Sequence, residues 1–318
     1  MATTAEELLH SAEQPVAHGF GATDVMLLVM ATIWGVNYSV IKYASRIFTP
    51  LVFNGIRIPV AAAVQLGAGR MAGEPSIAGG DRWRLVVLGM IGNGAYQLLF
   101  ILGIARTQVA TAALLMAATP ALIAILGWLH GSERVSRGAW AGIALQLAGM
   151  SSVVLGSAGS RDGADSLVGV ALVLTGALAW ASYSILIRPY AHRIPPLQMG
   201  GYTMLGGAVV AVVSAVPMLN QAHWGDVTPR VWLAMTYSAL GALVVAYLFW
   251  YRGVRVLGPT RTSMYGNLQP LIAMLVAWLA LGERPTEWQL AGTVCIMTGL
   301  VLARTQRSVA SAPPNNPD

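Results

Sequence analysis

Five stretches of this chain, 107–129, 138–156, 167–187, 231–251 and 262–281, contain no charged residue at all. About 20 predominantly apolar residues suffice for a helix to cross hydrocarbon, whereas a helix of that length in a soluble domain carries charges on its solvent side. The whole chain follows suit: 56% of its 318 residues are hydrophobic and 10% charged, against about 25% charged in soluble domains. The chain is therefore predicted to be an all-α membrane protein. Ten segments reach the required length, at 24–43, 50–70, 83–103, 107–129, 138–156, 167–187, 197–219, 231–251, 262–281 and 287–303. The connections are short and carry turn or breaker residues, as at Gly131-Ser132, Pro195-Pro196, Gly258-Pro259 and Gly282 through Pro285. They leave no loop for a soluble catalytic domain. Residues 1–22 are polar, include Glu6, Glu7 and Glu13, and lack the basic start and apolar core of a signal peptide. They and residues 305–318 are expected to be disordered cytoplasmic tails.

The net charge of +6 is spread over many short loops, which suits membrane orientation and not a nucleic-acid partner. With the N-terminus cytoplasmic, the inside regions hold Arg70, Arg82, Arg84, Arg134, Arg137, Arg188, Arg193, Arg252, Arg255, Arg261, Arg304 and Arg307. The outside regions hold Lys42, Arg46, Arg106, Arg161, Arg230 and Arg284. This twelve-to-six bias places both termini inside, as ten spans require, in a multi-pass protein of the bacterial inner membrane. Cys295 is the one cysteine, so no intramolecular disulfide can form. It lies in an apolar run, where a small packing residue is expected.

The chain is also written twice. At an offset of 150, Gly103 meets Gly253, Pro120 meets Pro270, Trp128-Leu129 meets Trp278-Leu279, Glu133-Arg134 meets Glu283-Arg284 and Gly149 meets Gly299. In the first span of each half, Trp34 and Lys42 correspond to Trp180 and Arg188 at an offset of 146. Such a duplication divides the chain into repeats at 23–160 and 161–304. Five spans per repeat is an odd number, so the halves enter the membrane from opposite sides. That predicts two inverted five-helix repeats around a central cavity, with a solute held near the midplane.

Two five-span halves with a Gly-Glu-Arg-Pro element after the fourth span resemble the EamA family of the drug/metabolite transporter superfamily. The second copy is complete as Gly282-Glu283-Arg284-Pro285; the first, Gly131-Ser132-Glu133-Arg134-Val135, has an inserted serine and no proline. Ile33-Trp34-Gly35-Val36-Asn37-Tyr38, Asn54-Gly55-Ile56-Arg57 and Ala179-Trp180-Ala181-Ser182-Tyr183 extend the resemblance across about residues 24–304. It implies a bundle whose cavity is lined by spans one to four and six to nine, with five and ten outside. It also implies transport without fixing the substrate, since members similar to this one export amino acids, sugars, nucleosides, drugs and other metabolites. Aromatics and amides mixed with one arginine favour an exporter or facilitator/exchanger of amino acids or similar small metabolites, with a broader drug or sugar-phosphate carrier as the alternative.

Polar and aromatic residues recur at helical spacing: Trp34, Asn37 and Tyr38; Asn93, Tyr96, Gln97 and Phe100; Trp180, Tyr183 and Ser184. Tyr247 takes the place of Gln97 in the second half, and Asn267 and Gln269 precede Pro270. In hydrocarbon such groups need partners, so they either join helices or line a wet cavity. Pro120 and Pro270 each free a carbonyl one turn upstream, allowing a kink or a backbone contact to solute. Arg57 lies some seven residues inside span two. There a guanidinium costs several kcal/mol unless it faces water, carbonyls or a bound carboxylate or phosphate. Trp34, Asn37, Tyr38, Arg57, Asn93, Tyr96, Gln97, Trp180, Tyr183, Ser184, Tyr247, Asn267 and Gln269 are thus the expected substrate-contacting set. Gly142, Gly149, Gly292 and Gly299 read as helix-packing residues, and the two Glu-Arg pairs as helix-ending elements.

No nucleophile, paired carboxylates, metal-ligand cluster or Gly-rich phosphate loop appears in the spans. An enzyme, a cofactor or a bound metal is not expected; the partners are the bilayer and a small solute, and the chain is expected to work as a monomer. Reporter fusions after residues 78, 192 and 310 should signal cytoplasm, and fusions after 162 and 224 the outside. A cytoplasmic signal at 162 would break the inverted order.

Overall fold

In hydrocarbon a chain keeps its backbone N–H and C=O groups paired by closing them within helices, and all regular structure among the described residues is helical. The computed structural model describes residues 21–129, 136–158, 165–191, 193–222 and 224–310. Among these, the main helices are α1 Ala22–Ala44, α2 Pro50–Met71, α3 Gly79–Ile104, α4 Val109–Leu129, α5 Arg137–Ala158, α6 Leu167–Leu186, α7 Pro196–Gln221, α8 Pro229–Gly253, α9 Leu268–Leu281 and α10 Glu287–Ala310. Helices α1 to α8 are long and apolar enough to cross a membrane, and α9 is apolar but shorter. The tail expected at 1–22 falls almost wholly outside the described residues, as do 311–318, Glu133 and Arg134.

Two boundaries differ from the expectation. Helix α10 continues to Ala310, into the segment expected as a tail, because residues 304–310 contain neither glycine nor proline to stop it. The Gly258-Pro259 connection is helical too, within a run from Ala246 to Gly266. The chain nevertheless reverses inside that run. A methyl group built on Gly253 would lie 2.8 Å from Thr262 Cγ2, whereas nine residues of straight helix span about 13.5 Å.

Helix α2 packs on α7 and α5 on α10, while α3 and α4 lie against α6, and α8 and α9 against α1. These pairs reproduce the sequence offsets. A methyl on Gly103 would meet Val173 Cγ2 at 2.6 Å, and one on Gly253 would meet Leu27 Cδ2 at 2.7 Å. The glycines are 150 positions apart and their neighbours 146. Likewise a methyl on Gly149 would lie 2.9 Å from the Gly292 carbonyl oxygen, and one on Gly299 2.5 Å from that of Gly142. Each glycine therefore serves the close approach that small residues permit between helices.

The closest approach of all was not foreseen. Along α7, a methyl on Gly206 would sit 1.9 Å from the Val86 carbonyl oxygen, and one on Gly89 of α3 2.0 Å from that of Thr203. Backbone meets backbone there, and α7 is drawn onto α2 and α3.

Leu155, Val213, Leu233, Leu279 and Val294 are exposed on the outer surface of the bundle, as a lipid-facing surface requires. Exposed Trp83, Trp128, Trp232, Trp278 and Trp288 stand near helix ends, at the level of a membrane interface. At one end of the bundle, Gly282 turns the chain out of α9 with φ +73°, a conformation glycine adopts without strain. Its neighbour Glu283 then accepts the Val109 N–H at 2.7 Å, capping α4. Asp165 accepts from Gln108 N–H at 2.6 Å and from the Thr111 hydroxyl at 2.9 Å on the same helix end. Lys42 donates to the Ile104 oxygen at 2.9 Å and to that of Thr107, where α3 stops. The Gly-Glu-Arg-Pro element thus ends one helix and starts another.

Gly206→Ala is expected to destabilise the purified protein by about 1–3 kcal/mol, the range for overpacking, seen as a lower unfolding midpoint. Gly80→Ala, where an added methyl meets nothing within 4 Å, should leave the midpoint unchanged. Equal midpoints for both variants would show that the α3 and α7 backbones are not in contact.

Candidate functional site

Helices α3, α4, α8 and α9 each depart from regular α-geometry near the middle of the bundle, and a cavity opens there. In α3 the backbone widens to a π-helical turn over Met90–Ala95, and in α8 over Tyr237–Val245. The two wide segments overlap at the 150-residue offset. Helix α4 breaks at Ala118, one residue before Thr119 and Pro120, and the helical run before α9 breaks at Asn267, shortly before Pro270. Each proline lacks the N–H its helix would need, so both kinks have the cause that sequence suggested. Freed carbonyls find side-chain donors: the Thr119 hydroxyl donates to the Met116 oxygen. The Ala242 and Leu243 oxygens accept from Trp34 Nε1 at 2.9 Å and Gln65 Nε2 at 2.8 Å.

The cavity measures about 170 Å³. With one water occupying on the order of 30 Å³ in the liquid, it holds several waters or one small organic molecule. Trp34, Asn37, Tyr38, Tyr96, Gln97, Trp180, Tyr247, Asn267 and Gln269 line it, nine of the thirteen expected residues. The aromatic members form a continuous chain. Ring centroids of Trp34 and Tyr247 are 5.6 Å apart, Tyr96 and Trp180 5.1 Å, Trp180 and Tyr247 6.2 Å, and Tyr38 and Phe100 5.2 Å. Such tilted and edge-to-face pairs hold one another rigidly. No acidic or basic side chain belongs to the lining.

Four expected residues lie elsewhere, each for a physical reason. The Ser184 hydroxyl is spent on its own helix, donating to the Trp180 oxygen at 2.7 Å. Asn93 precedes Tyr96 by three positions, which predicts a shared face only at 3.6 residues per turn. The π-helical turn intervenes, and one extra residue rotates a helix face by about 100°. Asn93 is consequently fully buried behind the wall, where its Oδ1 accepts the Tyr247 hydroxyl at 3.2 Å. Tyr183 packs beside it, its ring against Gly92, where an added methyl would fall 2.1 Å from Cγ.

Arg57 is also fully buried and does not line the cavity. Its Nε donates to Asn54 Oδ1 at 2.8 Å, Nη1 to the Ser238 hydroxyl at 2.6 Å and Nη2 to Gln97 Oε1 at 2.8 Å. The guanidinium carbon stands 5.4 Å from the Phe53 ring centre. Neutral oxygens from α2, α3 and α8 thus hold the cation, and no acid partners it among the described residues.

The sequence reading missed most of the α4 contribution, Ala113, Met116, Ala117, Thr119 and Ile123, together with Ala242, Leu243, Trp250 and Gly266. Apolar side chains carry no signal separating cavity wall from core; Pro120 was the one clue on α4. The expected lining by spans two and seven is corrected as well. The wall comes from α1, α3, α4, α6, α8, α9 and the residues just before α9, while the α7 glycines bury α2 and α7 against their neighbours.

A bundle of apolar helices around a solute-sized polar and aromatic cavity has the architecture of a multi-pass membrane protein. Comparison with known proteins takes this further. The EamA-like transporter family matches residues 21–155 and 167–305, so the chain belongs to that family and is a membrane transporter. The uncharacterized transporter YyaM of Bacillus subtilis (strain 168) is 28% identical over 289 residues, covering 88% of this chain and 92% of that protein. A protein of Streptantibioticus cattleyicolor described as a probable terminal-alkyne amino-acid exporter is 25% identical over 284 residues, 85% of this chain and 92% of its own length. A solved crystal structure superposes with a TM-score of 0.64 at 19% identity, over 92% of this chain and 99% of that one; this likeness concerns the fold alone.

Proposed function

We propose that this chain is an alternating-access exporter or exchanger of amino acids or similarly small amphipathic metabolites, working as a monomer in the bacterial inner membrane with both termini cytoplasmic. Repeats 23–160 and 161–304 act as two inverted five-helix halves, and the cavity between them is the solute site. One observation carries the reading. The lining joins aromatic faces to a few amides and hydroxyls and contains no fixed charge, a surface matched to a small solute with one apolar and one polar end. Asn37 supports it: its side chain borders the cavity and its Oδ1 has no hydrogen-bond partner among the described residues, so the lining keeps hydrogen-bonding capacity that the protein does not use. Aromatic faces at Trp34, Trp180 and Tyr96 suit an ammonium group. The amino-acid exporter among the relatives agrees with that choice.

Coupling follows from where the acids lie. Asp24, Glu283 and Asp165 sit at helix ends, where they accept hydrogen bonds from Tyr265 and Gly21, from Val109, and from Gln108 and Thr111. None lines the cavity. With no carboxylate at the site to relay a proton, and with guanidinium permanently charged, the solute's own gradient drives exchange. In proteoliposomes at equal pH on both sides, with an uncoupler present, labelled amino acid should undergo counterflow. Accumulation that requires an imposed pH difference would overturn gradient-driven exchange, and absence of flux for amino acids would overturn the substrate class.

A further inference from the structure

We infer that Arg57 selects the solute's charge without touching it: it is a positioning residue that turns the Gln97 amide so that its N–H donors face the cavity, making this wall the seat of the solute's carboxylate. The inference rests on the reading of the cavity as the solute site. Its first support is geometric. An amide can ordinarily be placed either way round, but a guanidinium has no acceptor. The atom of Gln97 lying 2.8 Å from Arg57 Nη2 must therefore be its oxygen. By the same logic Asn54 turns its oxygen to Nε, and its Nδ2 donates to the Gln97 backbone oxygen at 2.8 Å. Gln97 is thus held at side chain and backbone together. Its Nε2 is left with two N–H groups that no protein acceptor takes among the described residues, on a side chain that borders the cavity.

The second support is electrostatic. Arg57 is fully buried among neutral partners, so a whole positive charge stands one amide behind the cavity wall. Little water intervenes to screen it, and its field attracts an anion in the chamber. A hydrogen bond from the guanidinium also polarises the amide and strengthens its outward donors. The second half of the chain offers nothing equivalent. Tyr247 occupies the position of Gln97 in the second half, and α7, the counterpart of α2, contains no charged residue. The chamber is therefore polarised. An acid end belongs at α3, with the rest of the solute against Trp34 and Trp180.

The test is thermal unfolding of the purified protein titrated with two matched pairs, L-methionine with L-methioninamide and hexanoate with hexanamide. In the unsubstituted protein each acid should stabilise at about 10- to 100-fold lower concentration than its amide, the worth of one charge-assisted hydrogen bond. Arg57→Met should abolish that preference while hexanamide acts as before. Gln97→Glu keeps a partner for the guanidinium, so it should fold even where Arg57→Met does not, and it should reverse the preference by replacing outward donors with a carboxylate. Acid and amide acting equally on the unsubstituted protein, or an acid preference surviving Gln97→Glu, would overturn the role of Arg57 and leave the solute site standing. An acid preference confined to hexanoate would uphold the role and remove amino acids as the substrate class. No shift with any of the four would overturn both.

Discussion

A guanidinium with no counter-charge among the described residues, shut away from water, is the interaction on which the middle of this protein depends. Burying an ion costs several kcal/mol after relaxation, and Arg57 is held there by the Phe53 ring and by neutral oxygens drawn from three helices. The requirement shapes the helices in turn. Ser238 lies in the wide turn of α8, and Gln97 stands two residues past the end of the wide turn of α3. Both helices leave regular α-geometry where they serve the cation. Those same turns supply the carbonyl that holds Trp34 and the phase shift that carries Asn93 out of the cavity. Chamber wall and buried charge form one construction.

The helices were legible because lipid leaves so little choice: charge-free runs must become helices, and α1 to α8 appear close to where hydropathy places them. Half of the packing logic was legible as well, since Gly103, Gly149, Gly253 and Gly299 all meet close neighbours at the offsets written in the sequence. The α7 glycines were not, because only their contact partners, Val86, Asn93 and Gln65, distinguish them from ordinary membrane glycines. At the site, periodicity identified which residues share a helix face but not which neighbour that face meets. Trp34, Asn37 and Tyr38 came out on the cavity. Arg57 pointed between helices, because the three-helix network that satisfies it is assembled from residues 40 and 181 positions away along the chain.

On the proposed inverted arrangement, reciprocal contacts acquire a mechanical meaning. The first helix of each half rests on the third helix of the other by a matching seam, Gly103 on Val173 and Gly253 on Leu27, as the proposed alternation between two access states would need. The kinks at Pro120 and Pro270 both border the chamber, where such an exchange would change the wall. The cation makes the halves unequal: α2 carries Arg57, whereas its counterpart α7 has no charged residue. One half contributes Arg57 and Gln97, the other Tyr247, and a solute held between them has a defined direction.

The central claim, that this chamber is where the solute binds, is tested most directly by thiol protection. Cys295 is the one cysteine, so Cys295→Ser provides a background in which Met116→Cys, on the cavity wall, can be labelled with a membrane-permeant maleimide. A transported amino acid is expected to slow this labelling in a concentration-dependent manner, without slowing a cysteine placed at Leu279, exposed outside the bundle. Labelling of the cavity cysteine that proceeds at the same rate with and without the solute would contradict it.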